Sequence, residues 1–473
     1  MMRIRKQIWG VLGLIAAVSA LLAYVASGDA VMAQLVARGT SDGGSVRLRT
    51  NLVQDKVLKG TEGAVAVSVT LAGAECRRPE PVSTRHADMV IVLDRSGSMQ
   101  GRKIDDAREA VMELIDRLSA EDRLALITYS NGVETVSPLI HMDDAHRRHL
   151  KAVVRKIYSG GGTNLGGGLQ RGIDTLLQTP SAGRQRKVIL ISDGLANHGI
   201  TDPVALGRMA GGAVDYNFTV STVGVGYDFN EVLMTSIADH GAGNYYFLEN
   251  PNAFARVFQK EFESTRSVAA TGLQIRVPLK DGLQLVHAGG YPIELKDGYA
   301  LIRPGDLLSG QTRKFFLTYR VPTTRIGQIQ LGRLAVHYQH DGAAASAVSD
   351  EVLTLACVAD EKAVLSSIDR TAWGEQVVKE EYNQLREKVA AAIRSGDKGK
   401  ALQQIKTYAA KRKEINRSVG SAAVTDNLNH DVQALRQSVE ETFAGAPAAV
   451  ELKKKQNSKA LQYESYKIRR DKQ

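Results

Sequence analysis

The chain is poor in the residues and motifs that mark common catalytic and redox chemistries. It has two cysteines in 473 residues, Cys76 and Cys357, so at most one internal disulfide can form and a disulfide-stapled scaffold is excluded. No H-E-x-x-H pair is present, which removes the helix-borne zinc-protease site. No G-x-x-x-x-G-K-S/T occurs, so a chelatase or ATPase phosphate loop is without support. No tandem repeat stands out. One more absence is local: residues 8–26, "IWGVLGLIAAVSALLAYVA", carry no charge at all.

That uncharged run follows Arg3, Arg5 and Lys6, and "VMA" at 31–33 supplies small residues suited to cleavage. Residues 1–33 read as a signal peptide or an uncleaved N-terminal membrane anchor; the run is long for the first and near the lower limit for the second. Either places the remainder outside the inner membrane, periplasmic or anchored to its outer face, with membrane association through this segment. A single Cys76–Cys357 disulfide is permitted in such a compartment. The net charge is +10, but eight Lys/Arg against two Asp/Glu lie from Lys453 onward, so no nucleic-acid face is expected from it.

Periodicity divides the rest. Residues 44–76 alternate apolar and polar side chains, as strands do. "RRPEPVSTRH" at 77–86 is a linker. From 86 to 263, apolar strands alternate with amphipathic helices, the spacing of a parallel sheet wrapped on both faces. Its strands are 89–93, 123–129, 187–192 and 217–225, with an edge hairpin after Asn131-Gly132. Residues 268–358 return to short strands between Gly, Pro and Asp turns. The economical reading is one β-sandwich, split by an inserted α/β domain, with the two cysteines on its early and late strands. Residues 361–443 carry helical spacing, and 444–473 read as a loose basic tail.

The α/β segment holds the chemistry. "DRSGSM" at 94–99 follows the apolar run "MVIVL" and places Asp94, Ser96 and Ser98 at a strand's carboxyl end, where open sheets bind ligands. Hard cations such as Mg²⁺ take oxygen ligands in an octahedron at about 2.1 Å. Two hydroxyls and a carboxylate two residues apart supply half of such a shell. Alone this is a weak signal, because Asp and Ser also cap helices and turns. "SGGGTNLGGG" adds Thr163 behind three glycines, and "VILISDG" adds Asp193 at a second strand end.

In this order, Asp94, Ser96, Ser98, Thr163 and Asp193 resemble the metal-ion-dependent adhesion site of the von Willebrand factor type A domain. The resemblance covers residues 86–263. It implies a Rossmann-like α/β domain binding Mg²⁺ or Mn²⁺ directly through Ser96 and Ser98. Thr163 would bind directly or through water, and Asp94 and Asp193 through bridging waters. One position would stay open for an Asp or Glu carboxylate of a protein partner, with capture coupled to the last helix, about 251–262. Early strands, inserted domain, late strands and helices together look like exported bacterial proteins of this type.

Other clusters have plainer readings. His141, His146 and His149 sit beside Asp143 and Asp144, which can simply cap a helix. Gly166–Gly168 suit close helix packing. The sequence thus points to a non-enzymatic, cation-dependent protein-binding module of the bacterial envelope. Two alternatives stay open: a scaffold that binds through the sandwich or helices with the metal incidental, and an enzyme of unrecognised type using Asp94 or Asp193 as a base. No nucleophile–base pair supports the last.

Overall fold

A computed structural model describes residues 44–75, 86–180, 183–250, 253–266 and 268–470. The segment 1–33 and Cys76 lie outside the described residues, and among those described no helix is long and apolar enough to cross a membrane.

The chain opens with β1 (Val46–Leu52), β2 (Lys56–Leu58) and β3 (Ala64–Gly73). In β3, Val65, Val67, Val69 and Leu71 alternate into one core, while Ala66 turns to the opposite face and meets Phe316 and Trp373. The α/β domain follows. Its strands are β4 (Ala87–Asp94), β5 (Arg123–Tyr129), β6 (Val133–His141), β7 (Gln185–Ser192), β8 (Thr219–Val225) and β9 (Ala242–Leu248). Its helices are α1 (Arg102–Arg117), α2 (Asp144–Val154), α3 (Leu165–Leu177), α4 (Pro203–Asp215), α5 (Glu231–His240) and α6 (Phe254–Arg266). The strand order is β6-β5-β4-β7-β8-β9, parallel except for the edge hairpin strand β6. Met89, Ile91 and Leu93 of β4 pack with α1 and α6, and Val90 and Val92 pack with α3 on the opposite face. The near-continuous apolar run is required because both faces are covered. Glycines let α3 sit close: a methyl at Gly168 would lie 2.7 Å from Tyr129 Cδ1, and one at Gly172 2.6 Å from Val92 Cγ2.

The chain then returns to the first layer through β10 (Val268–Pro278), β11 (Gln284–Ala288), β12 (Ile293–Lys296), β13 (Tyr299–Ile302), β14 (Leu307–Leu308) and β15 (Thr312–Arg320). It continues with β16 (Gly327–Gly332), β17 (Ala335–His340), β18 (Ala343–Val348) and β19 (Leu353–Val358). One sheet runs β1-β3-β15-β11, a second β12-β13-β10-β17-β18 and a third β16-β19-β2. They share one core with residues from both ends of the insertion.

Of the expected Cys76–Cys357 disulfide, only Cys357 lies among the described residues. Cys357 is a free, buried thiol whose Sγ lies 3.8 Å from the Thr323 carbonyl oxygen, beside Gly60–Gly63 at the start of β3. Glu75 lies beyond the other end of β3, packed by Gly310. A ten-residue strand spans roughly 34 Å, whereas a disulfide requires Cα atoms within about 7 Å.

The helical part comprises α7 (Glu361–Ser366), α8 (Arg370–Gln376), α9 (Tyr382–Arg394), α10 (Lys398–Val419), α11 (Ala422–Asp426), α12 (Val432–Thr442) and α13 (Pro447–Arg469). The loose basic tail is therefore corrected: it is α13, begun by Pro447 at its first turn and packed against α9 and β9. Leu461 joins the helical core and Tyr466 joins the core of the α/β domain. Burial of these residues and of Tyr463 favours order that the lysine-rich composition obscures.

Candidate metal centre

All five singled-out residues meet at the carboxyl edge of the α/β sheet. Asp94, the last residue of β4, is fully buried. Its Oδ1 accepts a hydrogen bond from the Ser96 amide at 2.8 Å, and its Oδ2 one from Ser192 Oγ at 2.9 Å. Ser96 Oγ lies 3.0 Å from Ser98 Oγ, and Ser98 Oγ donates to Asp193 Oδ1 at 2.7 Å. Asp193, the residue after β7, is fully buried as well.

Thr163 comes from a glycine loop fixed on three sides. The Gly97 amide donates to the Gly161 carbonyl at 3.0 Å, tying this loop to the serine loop. The Gly162 amide donates to Asn131 Oδ1 at 2.6 Å and the Thr163 amide to Asn197 Oδ1 at 2.8 Å. A methyl group at Gly194 would stand 3.2 Å from Ser98 Oγ and 3.5 Å from Thr163 Oγ1. The two hydroxyls therefore converge on the space that Gly194 leaves free.

The electrostatics favour a cation. Burial pushes the Asp94 carboxyl up to about 6 and the nearby Asp193 charge adds to this, against the bonds from Ser96 and Ser192. Two carboxylates stand close together with few donors between them. Lys103 of α1 partly answers that charge: its Nζ donates to Asp193 Oδ2 at 2.5 Å and to the Ser98 carbonyl at 3.2 Å. The donors are all oxygen and mostly hydroxyl, so a hard ion such as Mg²⁺ or Mn²⁺ fits and a soft one does not. Among the described residues no group of three or more His, Cys, Asp or Glu side chains could hold a metal. The His141–His149 stretch forms no such centre; Asp143 Oδ1 caps α2 by accepting from the His146 amide at 2.8 Å.

Sequence reasoning missed Lys103, Ser192, Asn131 and Asn197. Ser192 stands next to Asp193 in "ISDG" and was legible as a hydroxyl at a strand end. The two asparagines act through loop contacts 34 or fewer residues away, for which no local pattern exists.

The profile of the von Willebrand factor type A domain matches residues 88–260. The Synechocystis protein sll0103 is 26% identical over 265 residues, covering 53% of this chain and 61% of its own. Rat inter-alpha-trypsin inhibitor heavy chain H3 is 27% identical over 245 residues, 50% of this chain and 27% of its own. The chain thus spans less than two thirds of these curated relatives. Two solved structures share the wider fold at 18% identity. A von Willebrand factor type A protein from Catenulispora acidiphila has a TM-score of 0.63 and covers 87% of this chain and 92% of its own. The ArnB paralog VWA2 from Sulfolobus acidocaldarius has a TM-score of 0.56 and covers 89% of this chain and 99% of its own. With strand order, matched region and fold in agreement, the chain carries a von Willebrand factor type A domain, set between two halves of a β-sandwich.

Proposed function

We propose that the chain is a non-enzymatic protein-binding module of the bacterial envelope that captures a partner through a divalent cation. Domains of this type are protein-interaction modules, which supports the general reading. The observation that carries the specific one is the convergence of Ser98 Oγ and Thr163 Oγ1 on Gly194, above two fully buried carboxylates. Ser96, Ser98 and Thr163 would hold Mg²⁺ or Mn²⁺, with Asp94 and Asp193 supplying negative charge. The bound ion would provide an electropositive centre that attracts a partner's Asp or Glu carboxylate. Two formal negatives beside hydroxyls leave room for that third one.

The protein's own part is positioning. Ser192 and the Ser96 amide fix both oxygens of Asp94, and Asn131 and Asn197 fix the loop carrying Thr163. Two large apolar side chains stand in the adjoining loops: Tyr158 is 71% exposed and Leu195 is 58% exposed. They offer apolar contact beside the carboxylate, as a protein ligand would need.

Calorimetry tests the reading. Mg²⁺ or Mn²⁺ should bind the purified chain at one site, and Asp94→Ala should abolish that site. Ser98→Ala should weaken it less, because water replaces one hydroxyl. Equal binding by Asp94→Ala would end the metal hypothesis. Once a partner is in hand, EDTA should release it and Mg²⁺ restore it.

A further inference from the structure

A groove of 880 Å³ runs along the outside of the helical part, between α10 and the α11–α12 segment. Its floor is apolar, built from Leu402 and Ala409 of α10 and from Leu428 and Val432 opposite. Its rim is cationic: Lys406, Lys413 and Arg417 on α10 and Arg436 on α12. No aspartate or glutamate lines it. Among the described residues none of these four cations has an ion-pair partner, although α10 and α12 are joined elsewhere by Lys398–Glu440 at 2.5 Å.

We infer that this groove is a docking site for an amphipathic helix of a partner protein, with acidic residues flanking its apolar stripe. Three features select that occupant. The lining positions of α10 recur every three or four residues from Gly399 to Arg417, so one wall follows that helix for about 27 Å, the length of about five helical turns, and the facing wall follows it from Thr425 to Arg436. Gly399, Ala409 and Ala410 present little side chain, which lets another helix come close. Lys406 and Lys413 are seven residues apart, with Arg417 four further on, a row that matches carboxylates along one side of a helix. Charge disfavours the chain's own N-terminal segment, residues 1–33, which brings Arg3, Arg5 and Lys6 against a single acid, Asp29. This site lies on a different part of the fold from the metal centre and stands or falls without it.

The test uses the full chain and a fluorescent 20-residue peptide, leucines on one face and glutamates flanking them. Controls are the same peptide with lysine for glutamate, a scrambled peptide of equal composition, and phosphatidylglycerol vesicles. Fluorescence anisotropy should show saturable binding of the glutamate peptide, and binding about tenfold weaker for either control. Lys406→Glu/Lys413→Glu/Arg417→Glu should lose the glutamate peptide and gain the lysine peptide. That exchange cannot come from misfolding, and an unchanged circular dichroism spectrum will accompany it. The proposal is overturned if the glutamate peptide does not saturate, if the scrambled peptide binds equally, or if the triple variant binds as wild type. It is also overturned if the triple change abolishes vesicle binding that the peptide fails to compete, which assigns the groove to a membrane surface.

Discussion

Lys187 Nζ lies 2.6 Å from Glu261 Oε2 inside the protein, joining strand β7 to the last helix of the α/β domain, α6. Glu261 is fully buried and has three further partners: Ser221 Oγ at 3.1 Å, Tyr246 Oη at 2.7 Å and Asn244 Nδ2 at 2.5 Å. The bonds tie α6 to β7, β8 and β9 at once. Any movement of α6 of the kind the resemblance implies would have to break this set.

Stability in acid should report that pair. Burial opposes the Glu261 charge, but the Lys187 charge and the hydrogen bonds outweigh it and hold the carboxyl at about 2. An ordinary glutamate titrates near 4.3, so the folded form is the stronger acid. The contribution is therefore complete above about pH 4.5 and is lost as pH falls towards 2, amounting to roughly 3 kcal/mol. Urea unfolding across that window should show a steep acid limb that Glu261→Gln flattens. Lys187→Met, which strands the carboxylate, should cost about 3–5 kcal/mol at pH 7. An unchanged acid limb in Glu261→Gln would refute the assignment.

Lys103 would compete with a bound metal for Asp193. Its ammonium group lies 2.5 Å from Asp193 Oδ2 and would repel a divalent ion held by the neighbouring hydroxyls. Lys103→Gln should therefore tighten Mg²⁺ binding by roughly fivefold at low salt, with a smaller gain at high salt. Weaker binding in this variant would mean that Lys103 positions Asp193 instead.

Gly194 should matter through space rather than through backbone freedom. A methyl there meets Ser98 Oγ at 3.2 Å, close enough to push that hydroxyl aside slightly, and touches Thr163 Oγ1 at 3.5 Å, in the space between the two hydroxyls. Gly194→Ala should lower divalent-ion affinity about tenfold, ~1.4 kcal/mol, while the unfolding midpoint in urea stays nearly unchanged. A large loss of stability with intact ion affinity would contradict this picture.

The α/β domain was legible because its signals are local. Apolar strands such as "VILIS" and the Asn131-Gly132 hairpin speak for themselves, and the hydroxyl motif falls at strand ends. Strand β9 was not legible: Gly241, Gly243 and Asn244 weaken its pattern, and pairing with β8 stabilises it. Strand β18 is alanine-rich, yet Asp341 and Gly342, both at positive φ, turn it back onto β17. The α13 helix was hidden by composition, since its lysines dominate any average while its partners in the α/β domain lie over 200 residues away. The expected disulfide meets a related obstacle. Two cysteines on one sandwich need not be neighbours, because a strand's two ends are far apart.

Both cysteines are expected to titrate as free thiols. Cys357 lies in the sandwich core, with the length of β3 between it and Glu75. Thiol titration under denaturing, non-reducing conditions should give two groups per chain. Detection of none would restore the disulfide.

Lys459 carries α13 into the α/β domain, and its removal should be costly. Its Nζ donates to Glu231 Oε2 at 2.7 Å and to the Phe229 carbonyl at 2.8 Å, all in buried surroundings. Burial works against the Glu231 charge, yet Lys459 and Arg394 hold its carboxyl below the usual range. Taking Lys459 away leaves a buried carboxylate with Arg394 alone, whose side chain is 40% exposed and correspondingly screened. Lys459→Met should destabilise the chain by about 3 kcal/mol, and Arg394→Gln by about 1 kcal/mol. Replacing both buried partners, Glu231→Leu with Lys459→Met, removes the stranded charge and should recover most of the loss. A double-mutant cycle by urea unfolding separates this from simple loss of packing: if the double variant is as unstable as the sum of its singles, the ion pair is not what secures α13 to the domain.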